Sequence, residues 1–260
     1  MFAGKTLFFA SPLHDGRVES AYFCAAIDLD RGMRAHNIPV QFYFHSGESL
    51  ITRARNNICK VFLESRCGET GEPWTHLVMM DSDMQFTSDQ IARVLGMADA
   101  KHQVIAGLAP VKAINWEAVR KDAVAGFTAK DLESAGSRMV VNPLPGHDYS
   151  RNDDALVPVK YCGTGFILIA REALLAFQNA YPELAYLPDY KIGEPALDDA
   201  EDPTVTAFFD TMICPDEKRY LSEDFYFCNK MKAIGIQPYV CRDVLVGHIG
   251  KYTYKPRYCL

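Results

Sequence analysis

Apolar runs with strand character alternate with segments of helical periodicity over the first 110 residues of the chain. This alternation predicts βαβ units, because parallel neighbours in a sheet are joined by a crossover that is usually a helix. We therefore expect an α/β fold with a mixed, mostly parallel sheet flanked by helices. The predicted strands cover residues 6–10, 38–44, 75–80 and 103–108, and the predicted helices cover 18–36, 50–64 and 89–100.

Residues 110–159 interrupt this rhythm. The segment is polar and carries Pro143, Pro145, Gly146 and Pro158, which favour turns over long regular elements. The α/β pattern then resumes, so the break is interpreted as an insertion or lid and not as a domain boundary. We predict a single domain over residues 1–260, with a first half (1–110), an insertion (111–160) and a second half (161–260). Strands are predicted at 166–170, 237–241 and 244–246, and helices at 171–180 and 222–234.

The composition is that of a globular protein, with 48% hydrophobic and 23% charged residues, which excludes wholesale disorder. A net charge of −6 argues mildly against a nucleic-acid partner, although it leaves room for a local basic groove. The eight cysteines form no C-x-x-C pair and match no zinc spacing. No apolar run approaches the ~20 residues that span a bilayer, and no secretory leader opens the chain. We expect a cytoplasmic protein with reduced thiols.

The triplet Asp81-Ser82-Asp83 follows directly on an apolar run, residues 77–80. In an open α/β sheet, ligands bind at the carboxyl ends of the strands, and carboxylate oxygens there hold divalent cations. The alternative is a solvated turn, because a triplet of this kind is short and frequent by chance. A capping-box pattern from Thr87 to Gln90 predicts that a helix begins soon after the triplet.

Arg53 and Arg55 lie in the second predicted helix, next to Asn56. Two positions apart on a helix, the arginines cannot both face the core. One interpretation is a solvated arginine beside a salt-bridged one. The other is a guanidinium fork directed at a nucleotide or diphosphate.

Two further clusters each allow a structural and a functional interpretation. Gly163 and Gly165 flank Thr164 just before a predicted strand, where they permit close approach of a ligand or simply a bulge. Glu223 and Asp224 begin a predicted helix, either as ordinary capping residues or as a general base and an acceptor of sugar hydroxyl protons.

His248 lies between Gly247 and Gly250, shortly after the last predicted strand. It is either a core histidine or a third metal ligand beside Asp81 and Asp83. Imidazole together with carboxylates suits Mn²⁺ or a related cation better than Ca²⁺.

Taken together, these motifs resemble the GT-A nucleotide-sugar glycosyltransferases, from the first strand to His248. In that superfamily a strand ends in Asp-x-Asp, a glycine-rich strand lines the sugar, and an acidic helix start touches the sugar or acceptor. The late Val246-Gly247-His248 is similar to the metal-closing motif of the polypeptide GalNAc-transferases, and Arg53-Ala54-Arg55-Asn56 is similar to the fungal mannan-polymerase mannosyltransferases. A group of small bacterial and phage glycosyltransferases is more similar still, with counterparts of Pro110-Val111-Lys112 and Asn115-Trp116.

The resemblance implies a GT-A (Rossmann-like) fold in which residues 1–110 bind the nucleotide, 111–160 form an acceptor-side insertion and 161–260 bind the acceptor and close the metal site. It implies Mn²⁺ or Mg²⁺ on Asp83 and His248, with Asp81 binding through water or holding the ribose. Ser11 and Pro12 stand where many inverting members have Pro-x-Tyr-Asn. The implied nucleotide and diphosphate contacts are Ser11, Pro12, Arg53, Arg55, Asn56, Asp81, Ser82 and Lys112. The implied sugar and acceptor contacts are Trp116, Gly163, Thr164, Gly165 and Glu223.

The implied activity is transfer of a hexose or pentose from a UDP- or GDP-type sugar to a hydroxyl group. Asp224, with Glu223 as the fallback, would be the base of an inverting reaction; in a retaining reaction both would orient sugar hydroxyls. The candidate acceptors are a surface glycan, a protein and a hydroxymethylated pyrimidine of phage DNA, so the enzyme would act in the bacterial or host cytoplasm. The alternatives are a nucleotidyltransferase, for which residues 11–16 make a poor phosphate loop, and a nucleotide-sugar binding protein without catalysis.

Overall fold

The computed structural model describes residues 2–135, 138–148, 154–189 and 203–251. Seven α-helices and fourteen strands lie in these ranges. The helices are α1 (Ser20–Ala35), α2 (Ile51–Glu64), α3 (Ser88–Met97), α4 (Trp116–Val124), α5 (Ala129–Ala135), α6 (Arg171–Ala180) and α7 (Glu223–Ala233). The strands are β1 (Leu7–Leu13), β2 (Val40–Ser46), β3 (His76–Met80), β4 (Met84–Gln85), β5 (Val104–Leu108), β6 (Val141–Pro143), β7 (Leu156–Cys162), β8 (Phe166–Ala170), β9 (Ala185–Tyr186), β10 (Val205–Thr206), β11 (Met212–Ile213), β12 (Tyr220–Leu221), β13 (Pro238–Leu245) and β14 (Gly247–His248).

Eight strands form a central sheet in the order β2-β1-β3-β8-β5-β13-β7-β6. The pairings β1 with β2, β1 with β3 and β5 with β13 are parallel. Strands β8 and β7 run against their neighbours, so six of the eight strands point one way. The carboxyl ends of β1, β2 and β3 therefore meet at one edge of the sheet, which is where ligands bind in open α/β folds.

Two apolar layers cover the sheet. One contains Ile58 and Phe62 of α2, Phe177 of α6 and Phe227 of α7. The other contains residues of α1 and α3, including Leu29. Strands β3 and β8 are buried along their whole length, as their uninterrupted apolar sequences require when helices cover both faces.

The predicted α/β fold, with a mixed, mostly parallel sheet flanked by helices, is confirmed by this architecture. The predicted helix at 171–180 has the observed bounds of α6, and α3 begins with the predicted capping box. In that box, the Gln90 amide donates to Thr87 Oγ1 at 3.3 Å, and the Thr87 amide donates to Gln90 Oε1 at 2.9 Å.

Two predictions of element boundaries are wrong. Strand β1 continues to Leu13 through residues 11–13, which were expected to form a loop, because these residues pair with the end of β2. The two predicted final strands are one strand, β13, whose pairing with β5 shifts register between Val240 and Leu245.

The predicted insertion at 111–160 also needs correction. It contains α4 and α5, but β6 and the first residues of β7 belong to the central sheet. Strand β7 was not predicted because it contains Pro158, and proline is unusual inside a strand. In the structure Pro158 lies opposite Tyr239 in an antiparallel pairing. Val157, Val159 and Tyr161 alternate into the core and hold this strand in place.

The described part of the chain contains no helix long and apolar enough to cross a membrane. Seven of the cysteines lie in the described ranges, all as free thiols, and six of these are buried. Cys259 and residues 190–202 lie outside the described residues.

Candidate functional site

Two adjoining cavities lie at the carboxyl ends of β1 and β3. The larger, of about 410 Å³, is lined by both aspartates of the Asp-x-Asp triplet and by Lys112. The smaller, of about 150 Å³, is lined by the glycine-rich segment 163–165 and by Asp224. Four residues form a wall common to both cavities: Arg55, Asp81, Glu223 and His248.

A two-stranded ladder brings Asp83 and His248 together. Strand β4 follows the Asp-x-Asp triplet and pairs with β14, so that His248 lies opposite Met84. The backbone amide of Ile249 also donates to the Asp83 carbonyl at 2.8 Å. As a result, His248 Nε2 lies 3.3 Å from Asp83 Oδ1.

Positive charge surrounds the Asp83 carboxylate. Lys112 Nζ contacts Oδ2, whereas Oδ1 is buried and accepts no regular hydrogen bond from the described residues. Burial alone would raise the pKa of Asp83, but the interactions with His248 and Lys112 lower it to about 2. The interaction with Asp83 raises the pKa of His248. Asp83 is thus a carboxylate with one oxygen facing the His248 imidazole and the other facing the Lys112 ammonium group.

Asp81 is engaged differently. Its Oδ1 accepts a 2.9 Å hydrogen bond from Arg55 Nη2, so one oxygen of this carboxylate is held by a guanidinium. Within the described ranges, no three His, Cys, Asp or Glu side chains are grouped as a metal site. The protein side chains therefore offer a cation the pair Asp83 and His248, and the remaining ligands would have to come from water or substrate.

This pair fits a divalent cation chemically. His248 Nδ1 lies 2.8 Å from the carbonyl oxygen of Pro110, which can only accept a hydrogen bond, so Nδ1 carries the proton. The neutral ring then directs the Nε2 lone pair at Asp83 Oδ1. Orientation of a ligating histidine by a hydrogen bond to its other nitrogen is typical of metal sites.

Arg55 connects the two cavities. Its side chain is almost fully buried in α2, where it bonds Asp81, lies 3.5 Å from Glu223 Oε1 and contacts the Thr164 carbonyl at 3.4 Å. The Arg55 guanidinium thus lies between two carboxylates of the wall common to both cavities. The Arg55 guanidinium contacts the walls of the site and also lines the larger cavity, so the fork towards a diphosphate stays a prediction.

Two partly buried carboxylates, Glu223 and Asp224, mark the start of α7. The Asp224 carboxylate accepts hydrogen bonds from the Ser222 hydroxyl and, at 2.8 Å, from the Phe225 amide. Ser222 occupies the N-cap position as predicted, but its hydroxyl turns to Asp224 instead of capping the helix. Burial raises the pKa of Glu223 and that of Asp224 above their ordinary values. Carboxylates with raised pKa values next to a cavity are candidates for proton transfer.

The glycine-rich segment is packed tightly. A Cβ on Gly165 would lie 2.5 Å from Met84 Cε, and one on Gly163 would lie 3.0 Å from Val140 Cγ1. Both glycines therefore allow close packing of protein against protein, and both also line the smaller cavity. Thr164 is buried between them.

Four predicted contacts lie away from the cavities. Ser11 is buried and hydrogen-bonded to Tyr22, and the side chain of Asn56 bonds the backbone of Phe209. Both assignments to the nucleotide site are corrected, because these polar groups are satisfied inside the core. Trp116 begins α4, is 59% exposed and lines neither cavity. Arg53 lies behind the cavity wall, where it pairs with the buried Glu48 at 2.8 Å.

The structure adds residues that the sequence analysis missed. His14 and Asp15 follow β1, and Glu48 and Ser49 follow β2; all four line the larger cavity. Their place in the sequence could have identified them, because each pair follows shortly after a predicted parallel strand. The carboxyl ends of such strands at this edge of the sheet face the same cleft.

No family model matches the sequence, and no curated protein matches it. The fold is similar to that of A197 from STIV, with 16% identity over 98% of both chains and a TM-score of 0.44. It is also similar to the catalytic domain of Drosophila β1,4-galactosyltransferase 7 in complex with xylobiose, with 9% identity over 98% of this chain and 76% of that one and a TM-score of 0.44. A third similar structure is a glycosyltransferase involved in glycosylation of the major capsid of PBCV-1, with 11% identity over 95% of this chain and 96% of that one and a TM-score of 0.35. These similarities are distant.

Proposed function

We propose that the protein is a metal-dependent glycosyltransferase that moves a sugar from a nucleoside-diphosphate sugar to a hydroxyl acceptor. The observation that carries this proposal is that Asp83 and His248 lie 3.3 Å apart beside Lys112 in the larger cavity. The adjoining smaller cavity is lined by the partly buried carboxylates of Glu223 and Asp224. The larger cavity offers groups that could bind a cation and a diphosphate. The smaller cavity offers carboxylates that could activate an acceptor hydroxyl as the nucleophile.

The larger cavity is the proposed donor site. Asp83 and His248 would hold Mn²⁺ or Mg²⁺, which supplies Lewis-acid neutralisation of the diphosphate leaving group. Lys112, about half exposed at the cavity wall, would add a second positive charge. Pro12 and Ser82 line the same cavity and would contact the nucleotide. A fixed cluster of positive charge is most effective where negative charge develops during the reaction.

The smaller cavity is the proposed acceptor site. Asp224 would take the proton from the attacking hydroxyl in an inverting reaction, with Glu223 as the fallback. Asp224 Oδ1 already accepts hydrogen bonds from Ser222 and Phe225, which fix the orientation of the carboxylate, and Oδ2 would then take the proton. The raised pKa makes this carboxylate a better base than an exposed aspartate once it is ionised. In a retaining reaction the same two groups would orient sugar hydroxyls.

Arg55 is proposed to fix the position of the donor site relative to the acceptor site. It contacts Asp81 on the donor side and Glu223 on the acceptor side through one rigid guanidinium. Asp81, already hydrogen-bonded to Arg55, would reach the cation only through water or would hold the ribose.

The first experiment is a thermal-shift screen of UDP- and GDP-linked hexoses and pentoses, with and without Mn²⁺. A donor that binds the native state raises the melting temperature by mass action. The donors that do so are then incubated with candidate acceptors: a glycan, a protein and hydroxymethylated pyrimidine DNA.

The products decide between classes of activity. Release of a nucleoside diphosphate with transfer or hydrolysis of the sugar supports the proposal. Release of pyrophosphate would instead identify a nucleotidyltransferase, and binding without turnover of any donor would identify a nucleotide-sugar binding protein. Full activity after chelation with EDTA would remove the metal from the proposal.

A further inference from the structure

Strand β2 forms one end of the central sheet. In the described part of the chain it pairs only with β1, so its outer backbone groups have no strand beside them. Its sequence, VQFYFHS, contains no lysine, arginine, acidic residue or proline. Soluble proteins usually protect an edge strand with such residues, because an unprotected edge pairs with another strand.

An apolar groove runs alongside this edge, between β2 and α1. Its volume is about 540 Å³, and its lining includes Phe23 and Ile27 of α1 and Phe42 and Phe44 of β2. Phe23 is 57% exposed, Phe44 is 43% exposed and Ile27 is 38% exposed. A contiguous set of exposed large apolar side chains next to an unprotected edge marks an interaction surface.

We propose that a second copy of this chain occupies this surface, through antiparallel pairing of β2 with β2 of the second copy. The midpoint of the seven-residue strand is Tyr43, so a two-fold axis there places Tyr43 opposite itself. Phe42 then lies opposite Phe44 of the second copy on the groove side, and the symmetric pair forms as well. Cross-strand aromatic pairs of this kind stabilise antiparallel ladders.

The charges at the rim of the groove favour a second copy over a charged partner. The exposed face of α1 carries two acidic and two basic residues, which form the pairs Arg31–Asp28 at 3.4 Å and Arg34–Asp30 at 2.9 Å. This face is therefore neutral, although the whole chain has a net charge of −6. Two copies can approach here without the repulsion that their net charge would cause elsewhere, and two-fold symmetry brings the same patch to both sides.

The test is light scattering coupled to size-exclusion chromatography over a range of protein concentrations. The wild-type chain is expected to show the mass of two 29.1-kDa chains, falling towards one chain on dilution. Phe44→Lys puts an ammonium group in each proposed aromatic pair and is expected to give the mass of one chain at every concentration. Phe23→Lys tests the groove independently of the strand and is expected to weaken the dimer in the same direction.

Ile213→Lys is the matched control, since Ile213 is an exposed apolar residue of β11, 67% exposed and outside the groove. It is expected to remain a dimer. Circular dichroism confirms that each variant is folded. The proposal is overturned if the wild-type protein shows the mass of one chain at all concentrations. It is also overturned if the double variant Phe44→Lys/Phe23→Lys remains a dimer. Neither result bears on the glycosyltransferase proposal, because the experiment contains no donor or acceptor.

Discussion

His248 Nε2 lies 3.3 Å from Asp83 Oδ1, while Nδ1 of the same ring is held by the Pro110 carbonyl at 2.8 Å. With Nδ1 protonated, a neutral His248 would direct a lone pair at a carboxylate oxygen, and the two would repel. A positive species must therefore lie between them. In a metal-free protein this is a proton, which agrees with the raised pKa of His248. A divalent cation would replace that proton, since metal binding and ligand deprotonation are coupled.

Asp83→Asn is expected to abolish the stabilisation by Mn²⁺. The amide keeps the shape of the side chain but removes the negative charge that the cation needs. For a ligand at 100 times its Kd, the stabilisation lost is about 2.7 kcal/mol, measured as the Mn²⁺-dependent shift of the melting temperature. Asp243→Asn is the control, because Asp243 pairs with Arg93 at the surface. An unchanged shift in Asp83→Asn would contradict the assignment of this residue as a metal ligand.

Arg55→Met is expected to destabilise the fold by about 2–3 kcal/mol, because it leaves the partly buried carboxylates of Asp81 and Glu223 without their shared cation. Urea denaturation at neutral pH measures the change. Arg93→Met removes an arginine from an exposed pair and should cost no more than about 1 kcal/mol. Equal losses in the two variants would show that Arg55 is not the electrostatic link described above.

The parts of the fold that follow from local chemistry could be predicted from the sequence. Strand β3 is a run of apolar residues ending in carboxylates, and the capping box at Thr87 fixes the start of α3. The proximity of Asp83 and His248 was also predicted, from the resemblance of Val246-Gly247-His248 to the metal-closing motif of known glycosyltransferases. Their metal role stays a prediction.

The orientation of individual polar side chains could not be predicted. Arg53 and Arg55 look alike in sequence, yet one is at the margin of the cavity and the other is buried between two carboxylates. Which face of α2 turns inward depends on its packing against the sheet, and not on the residues next to each arginine. Ser11 was misplaced for the same reason, because its hydroxyl is satisfied by Tyr22, a contact that only the fold creates.

The raised pKa of Asp224 predicts a specific pH dependence of stability. Burial favours the protonated carboxyl in the folded state, so the native protein binds more protons than the unfolded chain between the ordinary aspartate value and the raised one. Stability contributed by this group is full below the unfolded pKa and is lost as pH rises through the folded pKa. Asp224→Asn should therefore gain stability relative to wild type as pH rises through this window, measured by urea denaturation at several pH values.

Glu217→Gln is the control, because its effect on the free energy of unfolding is expected to change with pH in the opposite direction. Hydrogen bonds from Lys160 and Tyr161 lower the pKa of Glu217 to about 2, so its contribution is present above the ordinary glutamate value and lost as pH falls through the folded one. This variant should lose stability relative to wild type as pH rises from about 2 to the unfolded value of 4.5. Parallel behaviour of the two variants would contradict the assigned burial of Asp224.

Asp224→Asn is also expected to separate binding from chemistry. If Asp224 is the base of an inverting transfer, its loss lowers kcat by roughly 10²–10⁴-fold, the usual contribution of a general base. Donor affinity, read from the thermal shift, should change little because Asp224 lines the smaller cavity and not the larger one. Glu223→Gln, which alters a residue of the wall common to both cavities, should affect KM for donor and acceptor as well.

The stereochemistry of the product tests this role of Asp224 directly. An inverted anomeric configuration, observed by NMR of the first product formed, together with a kcat loss confined to Asp224→Asn, would support the base assignment. A retained configuration would rule out Asp224 as the base of a single displacement. In that case a kcat loss in Asp224→Asn would come from the lost orientation of a sugar hydroxyl. A donor or acceptor that lacks the hydroxyl bound by Asp224 should then show a smaller kcat loss in this variant, because the interaction is already missing in the wild type.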